Sequence, residues 1–424
     1  MDKIAILDYG SQYTHLIATR IRRLGVYSEI LDTTATKEQL SSYKGIILSG
    51  GPSSVYEENS PTIDPKIFKL GIPILGICYG HQLMTHILGG RVEQGKGVGA
   101  EFGRAEILIK EPCGIFEGFL KDMKTQVWMS HGDKVTKLPE GFEILAYSDD
   151  DDYSAVGDLK RNFFGIQFHA EVKHTMKGEQ ILLNFLKICK AKRDWDLTNF
   201  IDSEVKKIKE QVGDRKVFLL VSGGVDSTVA FALLNKALGQ QRIYALYVDT
   251  GFMRLGESKN VKTALKELGI TNLHVYDASK EFFTALKNVC EPEKKREIIG
   301  RVFLEVQKKV SADLRLDPER WILAQGTIYP DTIESGGTKN SSKIKTHHNR
   351  VPEVEKLIAE GKIIEPLKDL YKDEVREVGQ KLHLHPSMVW RHPFPGPGLA
   401  VRILCAEKPH LPRDLEKLNR DINT

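Results

Sequence analysis

Ser222-Gly223-Gly224-Val225-Asp226-Ser227 follows an apolar run, Val217-Phe218-Leu219-Leu220-Val221, and precedes a helical pattern from Thr228 to Leu238. The order predicts strand, glycine turn, helix. Two adjacent glycines let the backbone turn sharply and bring its N–H groups close to an anion. The positive N-terminal end of the helix adds to that pull. No lysine follows the glycines as in the commonest phosphate loop. An acid, Asp226, stands in the turn instead, and a carboxylate beside phosphate needs a cation between them, so Mg²⁺ is implied, held through Asp226. The expectation is a loop of Ser222, Gly223, Gly224, Val225, Asp226, Ser227 and Thr228 that grips the pyrophosphate of ATP and directs chemistry to the α-phosphorus. Gly-Gly alone marks no more than a turn. The whole string between strand and helix carries the reading.

Around this turn the chain repeats strand and helix. Apolar strands are expected at 217–221, 243–248 and 321–325, the second ending at Asp249, where an α/β sheet binds its ligands and Asp249 would border the adenosine. SGGVDS resembles the signature of the N-type ATP pyrophosphatases. That resemblance implies an adenine-nucleotide α-hydrolase-like domain that adenylates a substrate oxygen and releases pyrophosphate.

The chain has 424 residues, enough for two or three domains. Its 61 basic and 57 acidic residues give a formal net charge of +4, too small to argue for nucleic acid or a membrane surface. Cys78, Cys113, Cys189, Cys290 and Cys405 are scattered with no CxxC, which speaks for a reducing compartment and against disulfides or zinc. No signal peptide and no spanning apolar stretch are seen, so the cytoplasm is expected.

Residues 1 to about 190 read as a separate α/β unit. Short apolar runs at Ile4–Leu7, Ile46–Ser49, Ile74–Ile77 and Phe163–Phe168 alternate with helical patterns at Thr14–Leu24 and from about Gly178 to Lys192. Continuous apolar strands between helices indicate a parallel sheet covered on both faces. Gly76-Ile77-Cys78-Tyr79-Gly80 lies where a strand meets a helix, the elbow that exposes a nucleophile, here a thiol at a helix N-terminus. A lone cysteine there would more often be inert and buried. Partners appear at Phe168-His169-Ala170-Glu171: in extended chain, residues two apart share a side, so Glu171 orients His169 and His169 acts as base toward Cys78. The oxyanion hole is expected from the Tyr79 N–H and an N–H of Gly50-Gly51, with Gly51 the donor.

These residues resemble the class I glutamine amidotransferases, whose triad hydrolyses L-glutamine to glutamate and ammonia. The resemblance brings in Gln82 and the backbone around Ser130, His131 and Gly132 as contacts for the substrate. The family usually has proline where this chain has Ala170. Alanine removes no polar group from the triad, so the effect expected is on stability only, about 0.4–1 kcal/mol.

The joined pattern is more specific. LDYGSQYT (7–14), LSGGPSSV (48–55), GICYGHQ (76–82), WMSHGDKV (128–135), SGGVDS (222–227), IIGRVF (298–303), LAQGTIYPD (323–331), KTHHN (345–349), EPLKDLYKDEVR (365–376) and RHPFPGPGL (391–399) are similar, in order, to the glutamine-hydrolysing GMP synthetase family. The resemblance implies conversion of XMP, ATP and glutamine to GMP, AMP, pyrophosphate and glutamate. It implies an amidotransferase domain at 1–194, an ATP pyrophosphatase domain at 195–390 and the start of a C-terminal dimerisation domain at 391–424, the first two with mainly parallel sheets. The polar stretch 334–349 is expected to be a lid, with Asp331 and Glu334 at its root and Lys345, His347 and His348 on it. Lys368, Asp369 and Lys372 would complete a charged wall near the phosphates, and Arg301 would reach the XMP phosphate or lie on a helix surface. Glutaminase turnover is expected to wait for ATP and XMP to close the lid. The end at Thr424 leaves most of the dimerisation domain out, which puts the family's homodimer and full XMP affinity in question. Two alternatives stand beside this reading. A tRNA-thiolating ATP pyrophosphatase is disfavoured by the isolated Cys290 and Cys405 and by the balanced charge. A ligand-sensing homologue without catalysis is disfavoured by the intact Cys-His-Glu set.

Overall fold

The computed structural model of the protein describes residues 1–94, 101–254, 256–267, 273–314, 317, 319–336, 360–390, 399–403 and 414. These form two compact units, one of Met1–Phe200 with the described residues 330–336, the other of Ile201–Tyr329 with the described residues from 360 on.

The first unit holds a nine-stranded sheet. Its strands are β1 (Lys3–Asp8), β2 (Tyr27–Asp32), β3 (Gly45–Leu48), β4 (Ile74–Ile77), β6 (Glu101–Ile109), β7 (Lys124–His131), β9 (Glu143–Tyr147), β10 (Ala155–Asp158) and β11 (Phe163–Ile166), in the order β2-β1-β3-β4-β11-β10-β9-β6-β7. A small antiparallel pair, β5 (Arg91–Gln94) and β8 (Asp133–Lys137), stands apart. The first five strands of the order are parallel, and the remaining pairs are antiparallel. The expectation of a mainly parallel sheet is therefore corrected to a mixed one. The cause is legible in burial: β3, β4 and β11 are buried at every residue, as a sheet covered on both faces requires. In β7, buried residues alternate with partly or fully exposed ones, the mark of a sheet with one wet face.

The second unit has a five-stranded parallel sheet, β14 (Leu273–Asp277), β13 (Ile243–Asp249), β12 (Lys216–Val221), β15 (Trp321–Ala324) and β16 (Ile363–Ile364), in that order. Its core gathers Phe218, Leu246 and Val248 of the strands with Phe282, Ile299, Val302 and Val306 of the helices. The first unit's core gathers Ala5, Leu7, Ile46, Leu48 and Ile74 beneath Tyr79, Leu83 and Met84. Among the described residues no helix is long and apolar enough to cross a membrane.

Two glycines let the helix Tyr79–Ile87 lie directly on the sheet. A Cβ on Gly80 would stand 2.2 Å from the Leu48 carbonyl oxygen, and one on Gly76 would stand 2.5 Å from that of Gly80. Backbone cannot yield as a side chain does. Gly80→Ala is expected to cost at least about 1–3 kcal/mol, the usual range for overpacking, read as a fall in the thermal midpoint of the full chain.

Candidate catalytic centre and nucleotide loop

Cys78 sits between β4 and the helix Tyr79–Ile87 with φ 51° and ψ −107°. A non-glycine residue in that region stores about 1–3 kcal/mol and persists only where its surroundings hold it. The Cys78 N–H donates to the Ile166 carbonyl at 2.8 Å, and the Cys78 carbonyl accepts from the Gln82 N–H at 3.1 Å. The cysteine thus makes the sharp bend itself, and the flanking glycines serve close packing.

His169 and Glu171 follow β11, which pairs with β4. His169 Nδ1 lies 2.7 Å from Glu171 Oε1, with both side chains almost wholly buried. The His169 N–H donates to the Trp128 carbonyl at 2.9 Å, the Thr175 hydroxyl donates to the His169 carbonyl at 2.6 Å, and the Tyr13 ring meets the imidazole edge to face at 4.9 Å. Arg20 Nε donates to the Glu171 carbonyl at 3.0 Å. Burial disfavours the charged imidazole, but the Glu171 charge and hydrogen bonds with Cys78 and Glu171 outweigh it and push His169 up to about 10. Near neutral pH the proton of the pair therefore rests on the imidazole. A protonated imidazole is the form that a base toward Cys78 becomes, and the form that can give a proton to a leaving nitrogen.

The expected oxyanion donors adjoin one another. A Cβ on Gly51 would lie 3.4 Å from Tyr79 Cγ and 2.6 Å from the Tyr9 carbonyl oxygen, so only glycine fits. Neither the Gly51 nor the Tyr79 N–H donates to a protein acceptor among the described residues. Ser130 reaches the centre through its carbonyl, which accepts from the Cys78 thiol at 3.5 Å, and open space borders Gly132. The His131 side chain is turned inward, Nδ1 to the Asp133 carbonyl at 2.9 Å and Nε2 to Glu101 Oε2 at 3.3 Å. Gln82 is buried, and its amide nitrogen donates to the Asp133 carbonyl at 2.9 Å and to Gln167 Oε1 at 3.1 Å. Both N–H bonds of that amide are taken by the protein, so as a substrate contact Gln82 has at most its oxygen to offer.

In the second unit the glycine turn lies between β12 and the helix Val225–Leu238. Gly223 has φ 74°, a conformation that glycine adopts freely. Gly224 precedes the helix as its N-cap. Hydroxyls lock the turn: Ser227 Oγ accepts from the Ser222 N–H at 3.2 Å and donates to the Gly224 carbonyl at 3.2 Å, and Thr228 Oγ1 donates to the same carbonyl at 2.9 Å. Gly326, just past β15, packs on this helix start, where a Cβ would meet the Ser227 nitrogen at 3.1 Å. Lys372, the first residue of the helix Lys372–Lys381, grips Asp226 through both oxygens, at 2.7 and 2.5 Å. A lysine from a distant part of the sequence thus stands at a turn that has none of its own.

A hollow of about 370 Å³ opens at the carboxyl end of β13, lined by Asp249, Gly251, Arg254 and Ser258 among others. Asp249 itself is engaged, accepting from the Gly251 N–H at 2.9 Å and the Ser258 hydroxyl at 2.5 Å. A second hollow, of about 450 Å³, lies around Lys216 and Trp321 at the opposite ends of β12 and β15, the wrong end for a ligand of this sheet type. Lys368 and Asp369 lie near Glu204, whose carboxyl is pushed up by burial against the pull of Lys207 and Lys368. Arg301 lies exposed on the helix Pro292–Asp313, 3.8 Å from Glu305, in keeping with a helix-surface arginine. Asp331 lies in the first turn of the helix Tyr329–Gly336, which also includes Glu334. Lys345, His347 and His348, with the expected lid beyond Gly336, lie outside the described residues, as does most of 391–424.

A magnesium ion was expected at Asp226. Mg²⁺ commonly takes one or two protein carboxylates and draws its other ligands from phosphate and water. One carboxylate in a glycine turn that opens a helix fits that demand once Lys372 yields an oxygen of it. The described residues that could themselves surround a metal, Glu101, His131 and Asp151, belong to the first unit instead.

The glutamine amidotransferase class-I family model matches residues 5–189, and the NAD synthase family model matches residues 195–303. A GMP synthase (glutamine-hydrolyzing) of Lactobacillus gasseri is 49% identical over 428 residues, 99% of this chain and 80% of the relative. The chain belongs to the glutamine-hydrolysing GMP synthase family. An Aquifex aeolicus member is 46% identical over 406 residues, 95% of this chain and 77% of the relative. The family match joins the two units: an amidotransferase in sequence continuity with an ATP-using domain. Three residues of the thiol centre escaped the sequence reading: Tyr13, Thr175 and Gln167. Gln167 had a signal, since it stands two residues before His169 in the same run of alternating sides.

Proposed function

We propose that the chain makes GMP from XMP. Glutamine hydrolysis in the first unit supplies ammonia. The second unit transfers AMP from ATP to the XMP C2 oxygen and releases pyrophosphate. Ammonia then adds at C2 and AMP leaves with that oxygen. The sum is XMP, ATP, glutamine and water to GMP, AMP, pyrophosphate and glutamate. The reading is supported most by one observation: a thiol, an imidazole and a carboxylate meet in a chain whose other unit carries a lysine-backed glycine turn at a strand-to-helix junction.

In the first unit, the Cys78 sulfur attacks the glutamine carboxamide carbon. Charge that develops on the carbonyl oxygen is met by the N–H groups of Gly51 and Tyr79, each such donor being worth about 10²–10³ in rate. His169 gives its proton to the departing nitrogen, and Glu171 holds the ring. His169 then takes a proton from water, whose oxygen attacks the thioester and frees glutamate. Ser130 and Gly132 offer backbone to the substrate amino acid. In the second unit, the turn 222–228 cradles the pyrophosphate and Asp249 borders the nucleoside side. Lys372 moves from Asp226 to phosphate as the nucleotide arrives. Mg²⁺, held by Asp226 when bound, would neutralise phosphate charge.

The direct assay supplies XMP, ATP and Mg²⁺ with either glutamine or ammonium, and reads AMP and GMP. Both nitrogen sources are expected to support GMP formation with one AMP per GMP. ADP as the nucleotide product, or no GMP from either source, overturns the reading.

Two smaller results are expected. His169 keeps its proton to about pH 10 in the folded chain, against about 6.5 for a free histidine. The stability from this raised value is fully present below about pH 6.5 and is lost as pH rises through about 10. Replacing His169 with glutamine should therefore flatten the fall in unfolding free energy across that window, measured by denaturant titration at several pH values. A slope equal to that of the unaltered chain would contradict it. Ala170→Pro should leave glutamine hydrolysis within about three-fold and change stability by less than about 1 kcal/mol. Ala170 is buried, and its N–H makes no hydrogen bond among the described residues that a proline would remove. A rate gain of orders of magnitude would mean that alanine had disabled the triad.

A further inference from the structure

We propose that Gln167 is a further catalytic residue of the thiol centre, donating an N–H to the Cys78 sulfur, and that Gln82 is the positioning residue that aims it. This rests on reading Cys78 as the nucleophile. Gln167 is fully buried. Its amide nitrogen lies 3.6 Å from Cys78 Sγ, a normal length for a donor to sulfur, and its backbone N–H is anchored on the Ser154 carbonyl at 2.9 Å.

An amide can be turned end for end, so which end faces sulfur must be argued from its partners. The argument starts at a backbone group. The Asp133 carbonyl can only accept, and a Gln82 side-chain atom lies 2.9 Å from it. That atom must be the Gln82 nitrogen. Its second hydrogen then points to the other amide, 3.1 Å away, and the atom there must be the Gln167 oxygen. The Gln167 nitrogen is left facing sulfur. The Gln82 and Gln167 amides each have one orientation, dictated from the Asp133 carbonyl outward.

The chemistry such a donor serves is specific. The neutral thiol donates to the Ser130 carbonyl. Once its proton passes to His169, that carbonyl repels the sulfur charge, and the Gln167 N–H faces it with opposite sign. Hydrogen bonds to charged groups are the stronger class. The donor favours the charged sulfur at rest and again when the thioester breaks and sulfur leaves. It is not part of the imidazole–carboxylate pair, so its effect is separable from theirs.

The test is the pH dependence of Cys78 alkylation by iodoacetamide, followed by mass spectrometry of the full chain. Gln167→Met keeps length and removes the donor. Its alkylation midpoint should rise by about one pH unit or more, from the usual worth of a hydrogen bond to a charged group. The kcat/KM for glutamine should fall about ten-fold near neutral pH and recover as pH rises. A packing defect alone would lower the rate at every pH and leave the midpoint in place. Gln82→Met, one bond further back, should shift the midpoint in the same direction by less. Ammonium-supported amination and circular dichroism report that each variant is folded. If Gln167→Met misfolds, Gln82→Met decides alone. An unshifted midpoint in the folded variant overturns the role of Gln167. If alkylating Cys78 in the unaltered chain leaves glutamine hydrolysis intact, the nucleophile reading fails instead.

Discussion

Cys78→Ala is expected to lower glutamine-supported GMP formation by about 10⁵-fold or more, the scale seen when a covalent nucleophile is deleted. Ammonium-supported formation should stay within about two-fold of the unaltered rate. The contrast follows from the division of labour. Cys78 belongs to the first unit, as do the groups its sulfur meets among the described residues: the Ser130 carbonyl, the Gln167 amide and His169. The glycine turn and Lys372, proposed for adenylation, belong to the second unit. Alanine also carries the strained φ of 51° without the sulfur that needs it. Its strain remains of the same order, about 1–3 kcal/mol, so the fold should hold. The measurement is the rate of GMP appearance with each nitrogen source. Equal loss with both would mean that Cys78 supports the fold and not the hydrolysis.

Lys372→Met is expected to lower XMP-dependent pyrophosphate release by about 10²–10³-fold with either nitrogen source, the effect of removing one charge-stabilising donor. Lys372 is one of two charges in a contact that brings both Asp226 oxygens within hydrogen-bond reach. The pair is partly exposed, so its direct worth to stability is small, and a large activity loss cannot come from unfolding. Asp226→Asn should also be severe, and the double variant should lose less than the product of the two, because the residues share one contact. Glutamine hydrolysis measured without ATP and XMP should be unchanged in all three. Pyrophosphate release at the unaltered rate from Lys372→Met would make the lysine a neutraliser of Asp226 and nothing more.

Much of the parallel framework was legible in the sequence because its strands are buried on both faces and read as unbroken apolar runs. Ile74–Ile77 has the bounds expected, and Val217–Val221 is extended by Lys216 alone. The antiparallel part was not legible. Glu101–Ile109 leaves none of its first six residues buried, so no apolar run announces it. The triad residues could be placed by period-two logic and by the elbow pattern, and the structure brings Cys78, His169 and Glu171 together. The Asp226–Lys372 contact could not be placed, since 146 residues separate its partners and no local pattern pairs them. Gln167 was within reach of the same period-two logic that found His169 and Glu171. It was overlooked because a buried amide offers none of the charge by which catalytic residues are usually sought.

The most direct measurement supplies glutamine labelled with ¹⁵N in its amide, together with XMP, ATP and Mg²⁺ and a pool of unlabelled ammonium. We predict that the label enters the purine amino group of GMP with one AMP and one pyrophosphate formed per GMP, and that Cys78→Ala yields only unlabelled GMP. Unlabelled GMP from the unaltered chain, or ADP and phosphate in place of AMP and pyrophosphate, would contradict the account.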